Sequence, residues 1–223
     1  MKRIFQLLFW VLPLVTLCSC EDNANEENNA EFTNNWQYRN EQFFAERVQE
    51  AKQAIAEAKQ AHGDQWESHC DWRLYRSYAK LAGGLPTDTI CVKIVERGAN
   101  TSVTPLYTDS VKVNYIGYLM PTESYPKGRI FDHSGLYESE DYVFSPSYST
   151  PIGFSVSNLI EGFTTALLYM HIGDRFRIYI PNELGYQNRA TEKIPAFSTL
   201  VYDTQLKAIY RAGSSPQALQ LEK

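Results

Sequence analysis

The hydrophobic and polar positions of this chain change period several times, and each change marks an element. Residues 154–174 read FSVSNLIEGFTTALLYMHIGD. Phe154 and Val156 alternate as in a short strand, after which Ile160, Phe163, Leu167 and Met170 recur at spacings of three, four and three, the apolar stripe of one short helix. Gly173 and Asp174 break that helix. Phe176, Ile178 and Ile180 then alternate with Arg175, Arg177 and Tyr179, which predicts a strand with one buried face. The same alternation puts Val111, Val113, Tyr115, Gly117 and Leu119 on one side of a strand and Leu200, Tyr202, Thr204 and Leu206 on one side of another. Thr89 to Val95 (TICVKIV) reads as the first strand of this unit, entered through a Gly83-Gly84-Leu85-Pro86 hinge. Hairpin signals without a repeated strand–helix alternation favour an antiparallel sheet, and one helix to cover it makes the fold class α+β.

Upstream the period is helical. Within Arg39 to His62, Phe44, Val48, Ala51, Ile55 and Ala58 recur at spacings of four and three, and Gly63 supplies a stop. The seam is thin and rich in alanine, suited to docking on the rest of the chain or to pairing with a second copy as a homodimer; three weak heptads do not make a coiled coil. Trp66 to Leu81 is predicted to continue as a second helix with Trp66, Cys70, Leu74, Tyr78 and Leu81 on one side. Residues 39–84 thus form an N-terminal helical region, 85–211 the main domain and 212–223 a tail.

The start of the chain has a different composition. Lys2 and Arg3 precede an apolar run from Ile4 to Leu17 that is too short and wrongly flanked to span a bilayer, so residues 1–19 read as a secretory signal peptide. Leu17-Cys18-Ser19-Cys20 resembles a bacterial lipobox with Cys20 as the lipidated residue, which implies attachment to a membrane through acyl chains and a folded part outside the cytoplasm, at the outer membrane of the cell envelope. Glu21 to Thr33 is rich in Asn and Glu without apolar periodicity, and residues 20–38 are predicted to be a flexible acidic tether. Acidic residues directly after Cys20 also resemble surface-display signals of some lipoproteins.

Residues 1–19 carry two of the 21 Lys and Arg and none of the 26 Asp and Glu, so their removal takes the formal charge from −5 to −7. That balance excludes nucleic acid as a partner, which requires a basic surface. Of the four Cys, Cys70 and Cys91 remain in the mature region, as a disulfide in an oxidising envelope or as two buried thiols. The four His (His62, His69, His133 and His171) have no ligand spacing with these Cys, so no metal site is expected. His133 beside Asp132 does not form a dyad, because neighbours on a strand point to opposite faces.

The order of blocks, rather than any one block, carries a resemblance. N-L-I-E-G-F (158–163), M-H-I-G-D (170–174), R-I-Y-I-P-N-E-L-G-Y (177–186) and I-P-A-F-S-T-L-V-Y-D (194–203) follow V-K-V-N-Y-I-G-Y-L (111–119) and I-F-D (130–132). Together these resemble the FK506-binding-protein (FKBP) type peptidyl-prolyl cis-trans isomerases over roughly residues 86–211. The resemblance implies an antiparallel half-barrel sheet wrapped around the short helix, here preceded by an N-terminal helical segment. It implies rotation of Xaa-Pro bonds in proline-containing polypeptide clients, without cofactor, metal or covalent chemistry. Phe163 stands at the pocket floor, where the family usually has Trp. Tyr115, Phe131 and Tyr202 stand for the walls, Leu159 and Ile160 for the strand-to-helix edge, Ile194 for the far rim and Ile152 for an often aromatic position. The Ile160 N–H and the Tyr186 hydroxyl are the implied donors to substrate carbonyls, and Asp132 is the pocket carboxylate.

Gln187 stands where the family usually has Gly, so residues 187–193 are expected to take another backbone path and to move Tyr186. The spans 120–129 and 136–150 are longer than in minimal members and are expected to overhang the pocket's edge. These departures leave room for a second reading: a binding or chaperone module on an envelope lipoprotein, weakly active or inactive, using the same groove.

Overall fold

The computed structural model describes residues 30–80, 85, 88–98, 103–135 and 149–213. The predicted signal peptide, the lipidation at Cys20, most of the acidic tether, residues 136–148 and nearly all of the tail lie outside the described residues. Helix α1 (Trp36–His62) is followed by the short α2 (Trp66–His69), and α3 (Glu161–Leu167) is the short helix inside the sheet. Among the described residues seven strands make one sheet: β1 (Trp72–Arg76), β2 (Thr89–Glu96), β3 (Ser110–Tyr118), β4 (Ile130–His133), β5 (Ile152–Ser155), β6 (Arg175–Ile180) and β7 (Leu200–Tyr210). Their order is β1-β2-β6-β7-β3-β4, with β5 also pairing β3, and every pairing is antiparallel. The far edge of β3 is therefore divided, Ser110–Val113 against β5 and Ile116–Tyr118 against β4.

One face of the sheet holds the main core. Ile90, Val92, Ile94, Phe176, Ile178, Ile180, Leu200 and Leu206 close on Phe163, Ala166 and Leu167 of α3. Gly162 lets α3 approach β6: a Cβ there would lie 2.3 Å from Cγ2 of Ile180. Thr164 Oγ1 donates to Val156 O at 2.8 Å, tying the helix to the turn before it. The alternating strand predicted at Phe154 and Val156 ends at Ser155, Val156 already lies in a 3-10 turn, and Ile160 and Met170 flank α3 rather than belong to it.

The other face is also covered, contrary to the single buried face predicted for residues 175–180. Leu74, Cys91, Tyr179 and Val201 are register partners across β1, β2, β6 and β7, and this row packs on Phe44, Val48 and Ala51 of α1. The alanine-rich seam is thus occupied by the chain's own sheet. Ala51 is fully buried because only a side chain that small lets the helix axis come so close to the strands.

Further expectations are corrected. Trp66 to Leu81 is not a second helix: the α-helix ends at His69, Trp72–Arg76 is an edge strand paired with Thr89–Lys93, and only a 3-10 turn follows at Tyr78–Lys80. Thr89–Glu96 is consequently the second strand, and residues 39–84 are no separate helical region, because β1 belongs to the main sheet. The tether ends before residue 38, since residues 30–33 form a helical turn and Phe32 and Trp36 are buried in the main core. Of the two alternatives left open for Cys70 and Cys91, the structure has the buried free thiols. The Cys91 thiol donates to Arg47 O of α1 at 3.4 Å, while the Cys70 thiol turns to Trp72 O at 3.7 Å. Burial raises the pKa of the Cys91 thiol, keeping it protonated and unreactive.

Ala51→Leu is expected to overpack the α1 interface and cost roughly 1–3 kcal/mol. Urea unfolding followed by circular dichroism measures this, and unchanged stability would show that α1 does not seat on the β1-β2-β6 face.

Candidate active site

The site grows out of β3 and β7, whose alternation aims Tyr115 and Tyr202 to the face that carries α3. Phe163, on the first turn of α3, lies with its ring centroid 4.7 Å from that of Tyr202. Tyr115 is 6.2 Å from Tyr202 and 6.4 Å from Phe163, and Phe131 of β4 meets Tyr202 edge-on at 5.4 Å. Gly117 makes this closure possible: a Cβ there would lie 2.5 Å from two atoms of the Phe131 ring and 3.1 Å from the Tyr202 ring. Such tilted and edge-to-face pairs each contribute roughly 0.5–1.5 kcal/mol beyond their burial.

Above the rings is an open cavity of about 310 Å³, lined by Phe131, Asp132, Tyr186, Ile194 and Tyr202 together with Thr191, Glu192 and Lys193. That volume stands at the low end of the roughly 300–1,000 Å³ of small-ligand sites. The structure therefore brings Phe131, Asp132, Tyr186, Ile194 and Tyr202 to one cavity, with Tyr115 and Phe163 in the ring cluster against Tyr202. Leu159 and Ile160 are half-buried against the core and outside the lining. The Ile160 N–H donates to none of the described residues. Ile152 is not part of the cavity; it pairs with Val113 on β5 and is 38% exposed.

Tyr115 donates its hydroxyl to Asp132 Oδ2 at 2.7 Å, and the His133 N–H donates to Asp132 Oδ1 at 2.9 Å. The carboxylate is held at the cavity edge by two donors. The His133 ring is turned elsewhere, its Nδ1 accepting from the Gly135 N–H at 2.9 Å. Burial, and after it the Asp132 carboxylate, push the Tyr115 pKa up; burial does the same to Tyr202, and to Tyr75 it gives a value of about 12. Among the described residues no three His, Cys, Asp or Glu side chains gather as metal ligands would.

Gln187 shows its departure from Gly as strain. Its φ is 58°, in the left-handed region that favours glycine, and the turn is held by bonds from its N–H to Asn182 O at 2.9 Å and from the Phe197 N–H to its own carbonyl at 2.8 Å.

The sequence reading missed the brace around the cavity's rim. Trp36 Nε1 donates to Ser198 Oγ at 3.0 Å. Asn40, 1% exposed, accepts from the Thr199 N–H at 2.8 Å and from Thr199 Oγ1 at 3.1 Å. Arg129 donates to Lys193 O at 2.9 Å with its guanidinium 4.1 Å from the Phe32 ring centroid, and Glu31 accepts from Thr122 Oγ1 and the Ser124 N–H at 2.8 and 3.0 Å. The 120–129 span, expected to overhang the pocket, is thus tied to the N-terminal segment on one side and to the Ile194 loop on the other. A buried polar residue in a predicted helix was the one local signal, and it names no partner.

A family model for FKBP-type peptidyl-prolyl cis-trans isomerases matches residues 102–207. Peptidyl-prolyl cis-trans isomerase FKBP15-1 of Arabidopsis thaliana is 31% identical over 142 residues, 62% of this chain and 80% of that protein. The chain belongs to the FKBP-type isomerase family. This FKBP is also 35% identical to the FKBP-type 22 kDa peptidyl-prolyl cis-trans isomerase of Escherichia coli over 106 residues, 47% of the chain and 43% of the relative. To FkpA of Escherichia coli it is 29% identical over 182 residues, 79% of the chain and 58% of the relative. The chain therefore spans about half the length of these two relatives. The likeness to FkpA runs well beyond the 106 residues of the family match, so part of the N-terminal segment of this FKBP shares it.

Two measurements check this geometry. A tyrosine whose folded pKa exceeds its unfolded value of about 10 adds stability that is fully present below pH 10 and is lost as pH rises toward the folded pKa. With Tyr75, Tyr115, Tyr179 and Tyr202 all raised, stability is expected to be insensitive to these groups up to about pH 9 and to fall above pH 10. Their tyrosinate absorbance should appear together with loss of circular dichroism; full titration of all 15 Tyr near pH 10 with structure intact would contradict it. Gln187→Gly, in a region that costs a side chain roughly 1–2 kcal/mol, should leave thermal stability unchanged or raise it by up to about 1 kcal/mol, and Gln187→Val should lower it.

Proposed function

We propose that this chain is a peptidyl-prolyl cis-trans isomerase that turns Xaa-Pro bonds in exported proteins. The observation that carries the reading is the cavity floored by Tyr202, itself in contact with Tyr115, Phe131 and Phe163, with Asp132 and Tyr186 on its edge. An Xaa-Pro bond rotates slowly because conjugation must be broken, at a barrier of roughly 18–20 kcal/mol. The planar amide is the more polar state and loses more hydration than the twisted one when water is excluded. A ring-lined cavity that grips the proline therefore disfavours the ground state relative to the transition state, and hydrogen-bond donors placed for the twisted carbonyl add to the difference. The Ile160 N–H and the Tyr186 hydroxyl fill that role. Asp132, fixed by the Tyr115 hydroxyl and the His133 N–H, orients the groups at the cavity edge around the bond that twists. A 10⁴-fold acceleration needs about 5.5 kcal/mol of such preference.

The location follows from the leader: Lys2 and Arg3, the apolar run and the Leu17–Cys20 block support export and lipidation at Cys20, which places the site on proteins folding in the envelope. Attachment would come from acyl chains on Cys20; among the described residues no helix is long and apolar enough to cross a membrane.

NMR exchange on a short Leu-Pro peptide tests the reading with the protein kept in mild detergent. The intact chain is expected to speed exchange, Asp132→Ala to lower kcat/KM on the order of tenfold, and Phe163→Leu to lower it while preserving the fold. Absence of any enhancement by the folded intact chain would refute the enzyme.

A further inference from the structure

The wall of the ring-lined cavity has a second side. Thr191 to Ile194 face the first cavity, while Ala190, Pro195, Ala196 and Phe197, from the same loop, line a second one of about 710 Å³. Its opposite wall is Phe32, Trp36 and Tyr38 of the N-terminal segment, and Glu41 is the one charged residue in its lining among the described residues. Tyr38 is 62% exposed, a large aromatic side chain kept in water beside a hollow. Each wall also contains a non-glycine residue at positive φ, Asn35 at 50° and Phe197 at 60°. For a phenylalanine that conformation is an outlier, and strain of this kind persists where the surroundings hold a required shape.

We propose that this hollow is a second subsite for the polypeptide whose proline occupies the first cavity, taking apolar side chains a few residues from that proline. The inference rests on the first cavity being a proline site. Continuity argues for the occupant. The two cavities share a wall one loop thick, roughly 5–10 Å, and an extended chain crosses that distance in about three residues. Both have aromatic rings in their lining, and the second is almost free of charge. This suits an unfolded segment, whose apolar side chains stand out alternately along an extended backbone, and not a folded surface, where such side chains are already buried. An anionic ligand would meet only Glu41.

The test compares a short Leu-Pro peptide with the same peptide lengthened by six residues, on one side or the other, carrying Leu and Phe. With the intact chain, at least one lengthened peptide should show kcat/KM on the order of tenfold above the short one, chiefly through KM. In the Tyr38→Ser/Phe197→Gly double variant that gain should shrink to about twofold while turnover of the short peptide is unchanged. Glycine accepts the backbone angle of Phe197 and Tyr38 is exposed, so the variant is expected to fold. No gain from either extension in the intact chain, or a gain that survives in the double variant, would overturn the subsite even with short-peptide catalysis standing. Should no peptide turn over, fluorescence anisotropy of the labelled long peptide decides: weakening of Kd on the order of tenfold in the variant supports the subsite, and an unchanged Kd removes it.

Discussion

Tyr202 must give up its water for the site to exist. It sits on the long central strand β7, with Phe163 from α3 and Phe131 from β4 packed on its ring and Tyr115 beside it on β3. Four elements distant in sequence are thereby fixed to one side chain. The phenol can be buried because it stays neutral; its pKa is raised by burial, so the cluster has no reason to readmit solvent at ordinary pH. What opens above this platform is a cavity whose floor is already paid for by the core, leaving only the rim to be organised.

The parts of the fold that were legible in the sequence are those where one face decides the pattern. Residues 111–119 and 200–206 were legible because the side that meets α3 and its rings carries Val111, Val113, Tyr115, Leu200, Tyr202 and Leu206, although Ile116 and Val201 are buried on the opposite side, and the period shift at residue 160 marks α3. On β6 the covered second face misleads. Tyr179 reads as the polar-side neighbour of Arg175 and Arg177, yet α1 buries it with Val201 and Cys91. Trp66, Cys70, Leu74 and Tyr78 fit a helical stripe, but Trp72 and Leu74 also fit a strand. What selects the strand is pairing with Thr89–Lys93 beyond the hinge, a long-range term that no local window contains. Arg73 hides the strand further, since its guanidinium is buried donating to the carbonyls of Glu67, Cys70 and Trp72.

The candidate site was legible to a different degree. Block order pointed to the rings and to Asp132 and Tyr186, which the structure gathers at one cavity and the ring cluster beneath it. Ile152 matched by position alone, and on β5 its side chain is left partly in water. The rim could not be read, because its hydrogen bonds join residues about 160 positions apart: Asn40 to Thr199 and Trp36 to Ser198.

That rim changes what the N-terminal segment is for. A loop such as 190–199 loses roughly 1–2 kcal/mol of backbone entropy for each residue it orders, and a site that orders it only on binding subtracts that from affinity. Here Asn40 satisfies both the N–H and the hydroxyl of Thr199, Ser198 spans from the Trp36 indole to Pro195 O at 2.6 Å, and Arg129 holds the carbonyl of Lys193. The ordering is completed within the free protein, by a helix that the sheet itself holds in place through Phe44 and Ala51. The helix seated on the face opposite α3 and the loop edging the cavity are therefore a single mechanical unit, and Ile194 stands where it does because α1 has docked.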